Sequence, residues 1–151
     1  MRDEAITLCA AHPGTLDAET MYRILQLRVA VFVVEQQCPY PELDGRDLEP
    51  DTEWLWATEH GRLAATMRLL REPDGAVRIG RVATEQAVRS KGIAGRLVEF
   101  ALQRLGDSAE IVLDAQSPLE GWYQRFGFVR CGPEFVEDGI PHVPMRRPAA
   151  S

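Results

Sequence analysis

Between Val77 and Leu105 a strand, a glycine-bearing turn and an amphipathic helix follow one another, and no other stretch of the 151-residue chain narrows the possible folds as far. Ala94, Leu97, Val98, Ala101 and Leu105 fall on one helical face while Arg96, Glu99, Gln103 and Arg104 take the other, which predicts a helix over Ile93 to Leu105. The strand is expected over Val77 to Thr84, and the turn reads Arg89-Ser90-Lys91-Gly92-Ile93-Ala94-Gly95. A helix's first turn carries backbone N–H groups without intrahelical partners, its dipole favours negative charge there, and glycine lets an anion approach the backbone. Arg89, Lys91 and Arg96 add formal positive charge at that place. The turn is not a phosphate loop of the Gly-Lys-Ser/Thr kind, because Lys91 precedes Gly92. It also lacks G-x-G-x-x-G, which disfavours a dinucleotide fold. Glycine ahead of a helix serves capping and packing equally well, so the turn alone does not decide between the two uses.

The rest of the chain reads as strands first and interleaved helices later. After an extended N-terminal segment, Asp17 caps a helix whose Met21, Leu25, Val29 and Phe32 are expected to face the core. Pro39, Pro41, Gly45 and Pro50 mark Cys38 to Pro50 as a long loop. Trp54 to Glu59 and Leu63 to Leu70 flank His60-Gly61-Arg62 as a hairpin, and Pro73-Asp74-Gly75 turns into the strand from Val77. Ile111 to Leu113 is expected as a short strand, and Leu119 to Phe126 as a helix ended by Gly127. Strands at Phe128 to Arg130 and Val143 to Met145 lie on either side of a turn at Asp138 and Gly139. No repeat or linker divides the chain, so residues 1–151 are expected to form one domain with an α/β or α+β architecture around a mixed sheet.

Charge is unevenly placed. The net charge is -6, and the seven acids and one base between Glu35 and Glu53 account for all of it. From Arg78 to Arg96 five bases face one acid. Such a polarised surface favours an amine near the first stretch and an anion near the second, with solvated surface as the plain alternative. An acidic chain is a poor general binder of nucleic acid. No apolar run approaches the roughly 20 residues that cross a bilayer, and Met1 to Asp17 hold no readable signal peptide, so a cytoplasmic protein without membrane contact is expected. Cys9, Cys38 and Cys131 form no C-x-x-C pair and read as reduced, packed thiols. His12, His60 and His142 are dispersed, so no metal is expected. Arg28 and Arg81 sit in apolar contexts and read as paired structural cations. Trp54, Trp56 and Trp122 read as core or pocket wall.

Arg89-x-x-Gly92-x-Ala94 on a strand-to-helix turn resembles the pyrophosphate signature of the GCN5-related N-acetyltransferases. Downstream, Tyr123-x-x-x-Gly127-Phe128 is similar to that family's second segment, with Gln116 where many members carry Asn. Leu25-Gln26-Leu27-Arg28, Val31-Phe32-Val33-Val34-Glu35-Gln36, Cys38-Pro39-Tyr40 and Glu137-Asp138-Gly139-Ile140-Pro141-His142 resemble the ElaA-like branch. The resemblance implies a mixed, twisted central sheet flanked by helices, whose two parallel central strands splay apart around acetyl-CoA. It implies that backbone groups of Val82, Ala83 and Thr84 pair with the pantetheine arm. It also implies that Ser90, Lys91, Gly92, Ile93, Ala94 and Gly95 hold the pyrophosphate with help from Arg89, and that Gln116 and Tyr123 touch the cofactor. Leu119, at a position where alanine is frequent, and Gly121 depart from the family pattern.

The implied reaction is acetyl transfer to a primary amine, on a small molecule or a peptide, by direct attack in a ternary complex. Such transfer needs a neutral nucleophile, a stabilised oxyanion and a proton for the departing thiolate. By the resemblance Tyr123 is the acid, and a backbone N–H near Val82 or Ala83 polarises the thioester. The base stays open between Glu35 and His142, each with a plain alternative as a surface residue. Two rivals remain: a non-catalytic acyl-CoA-binding sensor, and a site for another nucleotide such as ATP or NAD. A homodimer is compatible with the resemblance, although no sequence feature argues for one.

Overall fold

The structure, a computed structural model, describes residues 5–150. It opens with β1 (Ile6–Ala11) and α1 (Ala18–Arg28), which continues as π-helical turns over Val29–Glu35. Asp17 caps α1, its carboxylate accepting the Thr20 N–H at 2.7 Å and so satisfying a first-turn donor. A long irregular segment leads to the hairpin of β2 (Glu53–Glu59) and β3 (Arg62–Arg71). Its two-residue turn, His60-Gly61, has both residues at positive φ, the geometry that matches strand twist. Then follow β4 (Val77–Thr84), α2 (Ile93–Leu105), β5 (Ile111–Gln116), α3 (Glu120–Gln124), β6 (Val129–Arg130), β7 (Phe135–Glu137) and β8 (Ile140–Arg147).

All eight strands join one sheet in the order β1-β2-β3-β4-β5-β8-β6, with β7 also paired to β8. The pairing is antiparallel except between β4 and β5, where only Val77 with Ile111 and Arg78 with Val112 stand in register. Beyond those residues the two central strands part. The cause is local. Thr66 pairs with Ala83 and Arg68 with Gly80, so two residues of β4, Arg81 and Val82, stand opposite Met67 in a bulge. Arg81 takes φ +54° there, and a bulge bends its strand and increases its twist. The bend carries the second half of β4 away from β5.

Every residue of β3 from Ala64 to Leu70 is buried, as expected of a strand covered on both faces. The main core joins Leu55, Met67, Leu69, Val77, Ile79, Ile111, Val143 and Met145 of the sheet to Ile93, Leu97, Val98 and Ala101 of α2. Helix α2 begins and ends at the predicted residues. The face of α1 differs from expectation. Ile24, Leu27, Arg28 and Val31 are buried, whereas Val29 is exposed and Met21, Leu25 and Phe32 are only partly covered. The buried stripe runs through Ile24, Leu27, Arg28 and Val31, spaced three, one and three apart on one helical face, so it is rotated from the one that Met21, Leu25, Val29 and Phe32 define. Strand β5 runs three residues further than predicted, β7 was not anticipated, and the helix expected over 119–126 is α-helical only at Glu120–Gln124. Cys9 and Cys38 are partly buried and Cys131 is exposed, so that last thiol is not packed as expected.

The acidic segment after α1 is bound down by arginines. Arg28 Nε donates to Glu42 at 2.8 Å and its Nη1 to Asp47 at 2.6 Å. Arg68 donates to Asp44 at 2.7 Å and to Asp47 at 3.2 Å, and Arg81 donates to Glu42 at 2.8 Å. Arg28 is 2% exposed and Asp47 5%, so these are buried, mutually compensated charges. Trp54 adds an indole N–H to the Asp47 carbonyl at 2.9 Å. Arg28 and Arg81 are thus paired structural cations, as their sequence context suggested. The same network corrects the picture of a free acidic patch, since Glu42, Asp44 and Asp47 are neutralised in place.

The network predicts how the fold meets acid. Hydrogen bonds from Arg68 hold the Asp44 carboxyl well below its ordinary range, and those from Arg46 and then Arg78 do the same for Glu72. A lowered carboxyl contributes stability that is complete above its unfolded value, about 4, and is lost as pH falls through the folded value. The unfolding midpoint is therefore expected to stay level from about pH 7 to 5 and to fall below about pH 4, with Asp44→Asn flattening that acid limb. A decline already under way at pH 6 would contradict this assignment.

Candidate active site

Where β4 and β5 part, a cavity of about 400 Å³ opens, within the range of small-ligand sites. Its walls include the π-helical turns (Val31, Phe32) and Gln36 just after them, the pinned loop (Cys38, Tyr40, Glu42), Arg68 and Leu70 of β3, the two splayed strands, Leu119 and Tyr123, the β7–β8 turn (Glu137, Asp138), and His142 on β8. Past Arg78, no strand among the described residues pairs with β4 on its β5 side. That free edge suits an extended ligand added as a strand. One of its expected carbonyls is already engaged, since Thr84 accepts from Arg89 Nε at 3.1 Å.

Tyr123 is 6% exposed and held by edge contacts with Trp122 and Phe128, ring centroids 4.9 and 6.1 Å away. Its hydroxyl has no hydrogen-bond partner among the described residues, yet the residue lines the cavity. The ring is buried while the hydroxyl, which is not among the buried unsatisfied atoms, opens onto the cavity and is free to bond a ligand there. Burial pushes its pKa up to about 12, so it stays protonated at neutral pH.

His142 lies across from Gln116 in the β5–β8 register and stacks on Phe135 with centroids 5.8 Å apart. Its Nδ1 is 2.7 Å from the Ile140 carbonyl. A carbonyl only accepts, so Nδ1 carries the proton and the neutral ring keeps its lone pair on Nε2. His142 and Tyr123 line the same cavity. Glu35 does not join them. Its carboxylate grips both Nη atoms of Arg89 and faces a second cavity, of about 920 Å³, between α1 and the start of β3. Those hydrogen bonds from Arg89 hold the Glu35 carboxyl below its ordinary range.

The predicted anion turn has the expected shape. Gly92 takes φ +75°, a left-handed conformation that a side chain would strain, and α2 starts at the next residue. Arg89, Ser90, Lys91 and Gly92 are exposed. Both flanking cations have carboxylate partners, Arg89 with Glu35 and Lys91 with Glu59 at 3.2 Å. Gln116 is likewise engaged: it exchanges amide hydrogen bonds with Gln36 at 3.3 and 3.4 Å. Sequence reasoning missed Gln36. Nothing in its spacing marks it, since its partner is 80 residues away. Among the described residues no group of three or more His, Cys, Asp or Glu is placed to hold a metal, and no helix is long and apolar enough to cross a membrane.

Comparison with known proteins places this geometry. The profile of the acetyltransferase (GNAT) domain matches residues 19–148. A UPF0039 protein of Mycobacterium tuberculosis is 50% identical over 139 residues, which cover 89% of this chain and 88% of that protein. Protein ElaA of Escherichia coli is 38% identical over 141 residues, 90% of this chain and 92% of ElaA. Among solved structures, an acyl-CoA N-acyltransferase from Pseudomonas aeruginosa is 44% identical with TM-score 0.87, covering 94% of this chain and 99% of that one. The crystal structure of E. coli ElaA superimposes with the same TM-score of 0.87 at 36% identity, over 94% of this chain and 99% of ElaA.

Proposed function

We propose, from the premise that this chain belongs to the GNAT acetyltransferase family and to its ElaA-like branch, that it moves an acetyl group from acetyl-CoA to a primary amine by direct attack in a ternary complex. The family acts with acyl-CoA; acetyl as the acyl group, the amine acceptor and the proton steps are our reading. The observation that carries it is the unpartnered hydroxyl of a buried Tyr123 at the wall of the gap between β4 and β5.

In this reading the pantetheine arm lies along the free edge of β4 at Val82, Ala83 and Thr84, and the pyrophosphate meets the backbone from Ser90 to Gly95. The thioester then sits in the gap. The acceptor gives one proton to solvent and attacks the thioester carbonyl as the neutral amine, His142 Nε2 takes the second proton from the nitrogen as the C–N bond forms, and the tetrahedral oxyanion is met by a β4 backbone N–H near Val82 or Ala83. As the C–S bond breaks, Tyr123 donates its proton toward the leaving sulfur. The products are an amide and a free CoA thiol, and solvent restores the phenol and the imidazole. Glu35 is left out of the proton steps, because it lines the other cavity and not the one that Tyr123 and His142 share. The acids of the pinned loop are neutralised, so attraction of a protonated amine falls to Glu137 and Asp138, which line the cavity with no ion-pair partner among the described residues.

The test is thiol release from acetyl-CoA across a panel of neutral, cationic and carboxylate-bearing amines. Turnover with primary amines, cationic ones preferred, is expected. Tight binding of acetyl-CoA without acetylation of any amine would favour the sensor and overturn the enzyme reading.

A further inference from the structure

Glu35 and Gln36 are neighbours at the end of the π-helical turns, and they reach opposite sides of the gap. Glu35 pairs with Arg89 on the turn that follows β4, and Gln36 pairs with Gln116 at the end of β5. A single point of the chain is therefore fastened to both walls that splay apart. We propose that Glu35 and Gln36 set the affinity for acyl-CoA by competing with the cofactor for Arg89 and Gln116. The proposal rests on the acyl-CoA site described above and adds to it the residues that oppose occupancy.

The physical argument concerns charge on one side and donors on the other. A pyrophosphate brought to the turn meets an arginine whose charge is already balanced by a carboxylate on both of its terminal nitrogens. That carboxylate is also a like charge beside the incoming anion, which raises the cost of approach. Glu59 does the same to Lys91. With Arg89 and Lys91 so masked, the backbone N–H groups and the α2 dipole carry a larger share of the attraction at the turn. On the other wall, the Gln116 amide donates its N–H to Gln36 and accepts from it in a reciprocal pair, so the contact with the cofactor that the family resemblance implies for Gln116 draws on atoms already engaged. The two contacts are separable. Glu35 acts only on a ligand that carries phosphates, whereas Gln36 acts on any ligand that carries the pantetheine arm.

Calorimetric titration of the full chain with CoA and with pantetheine, which lacks the pyrophosphate, separates them. Glu35→Gln is expected to tighten CoA about two- to fivefold, the strength of an exposed ion pair, and to leave pantetheine unchanged. It should also steepen the loss of CoA affinity with added salt, since Arg89 then meets phosphate unmasked. Gln36→Ala is expected to tighten both ligands. Glu59→Gln, distant from the π-helical turns in sequence, repeats the first result through Lys91 if masking is the cause. Weaker or unchanged CoA binding in Glu35→Gln and Glu59→Gln, with circular dichroism unaltered, would overturn the proposal. Absence of CoA binding to the unmodified chain would instead overturn the acyl-CoA reading beneath it.

Discussion

Replacing Tyr123 with phenylalanine is expected to lower kcat for acetyl transfer about 10²–10⁴-fold, the usual worth of a positioned acid, while the dissociation constant of acetyl-CoA stays within about twofold. The variant removes one oxygen and keeps the ring that packs against Trp122 and Phe128. No hydrogen bond among the described residues is lost with that oxygen, so the fold has nothing to repair. A phenol raised to about 12 by burial is a donor throughout the working range of pH, and its absence should be felt only when the thiolate leaves. Steady-state thiol release and calorimetric binding measure the two quantities on one preparation. A fall in kcat of less than about threefold would remove Tyr123 from the chemistry. Equal losses in binding and rate would make it a wall of the pocket.

The second large effect is on stability. Asp47→Ala is expected to cost about 3–5 kcal/mol, because it leaves Arg28 and Arg68 buried with less than their full complement of negative charge. For a domain of this size that is a fall of about 6–20 °C in the unfolding midpoint. The damage should also have a direction. Asp47 pins the loop that walls one side of the cavity, not the turn at Gly92 or the edge of β4. Acceptor KM is accordingly expected to rise more than the dissociation constant of CoA. A midpoint within about 2 °C of the parent chain would mean that the network is ornamental to the fold, contrary to its burial.

How far the chain could be read without coordinates depended on whether a signal was local. Helix α2 and β4 were legible to the residue, because a 3.6-residue stripe and a turn-bounded apolar run are both complete within the segment itself. The turns at Gly61, Gly75, Gly127 and Gly139 were legible for the same reason, and all four glycines have positive φ. The buried face of α1 was misread because Ile24, Leu27 and Val31 make a second apolar stripe at helical spacing, and the one that is buried also carries Arg28, whose burial depends on carboxylates 14 and 19 residues on. The bulge at Arg81 was invisible too, since a non-glycine residue at φ +54° carries no composition mark. At the site, the motif residues led to Tyr123, Gln116 and the turn from Arg89 to Gly95. What they could not give was pairing across the fold. Glu35 was one of two candidate bases, and spacing could not show that its carboxylate pairs with Arg89, 54 residues on. The acids between Glu35 and Glu53 looked like a lure for amines until Arg28, Arg68 and Arg81 were found among them.

The most direct test is the unfolding midpoint with acetyl-CoA, CoA, ATP and NAD, each at the same concentration. A ligand at one hundred times its dissociation constant stabilises by about 2.7 kcal/mol, or roughly 5–10 °C for a chain of this size. Acetyl-CoA and CoA are predicted to raise the midpoint by that amount, with ATP and NAD leaving it within about 1 °C. No shift with either CoA species, or an equal shift with all four nucleotides, would contradict the placement of acyl-CoA in the gap between β4 and β5.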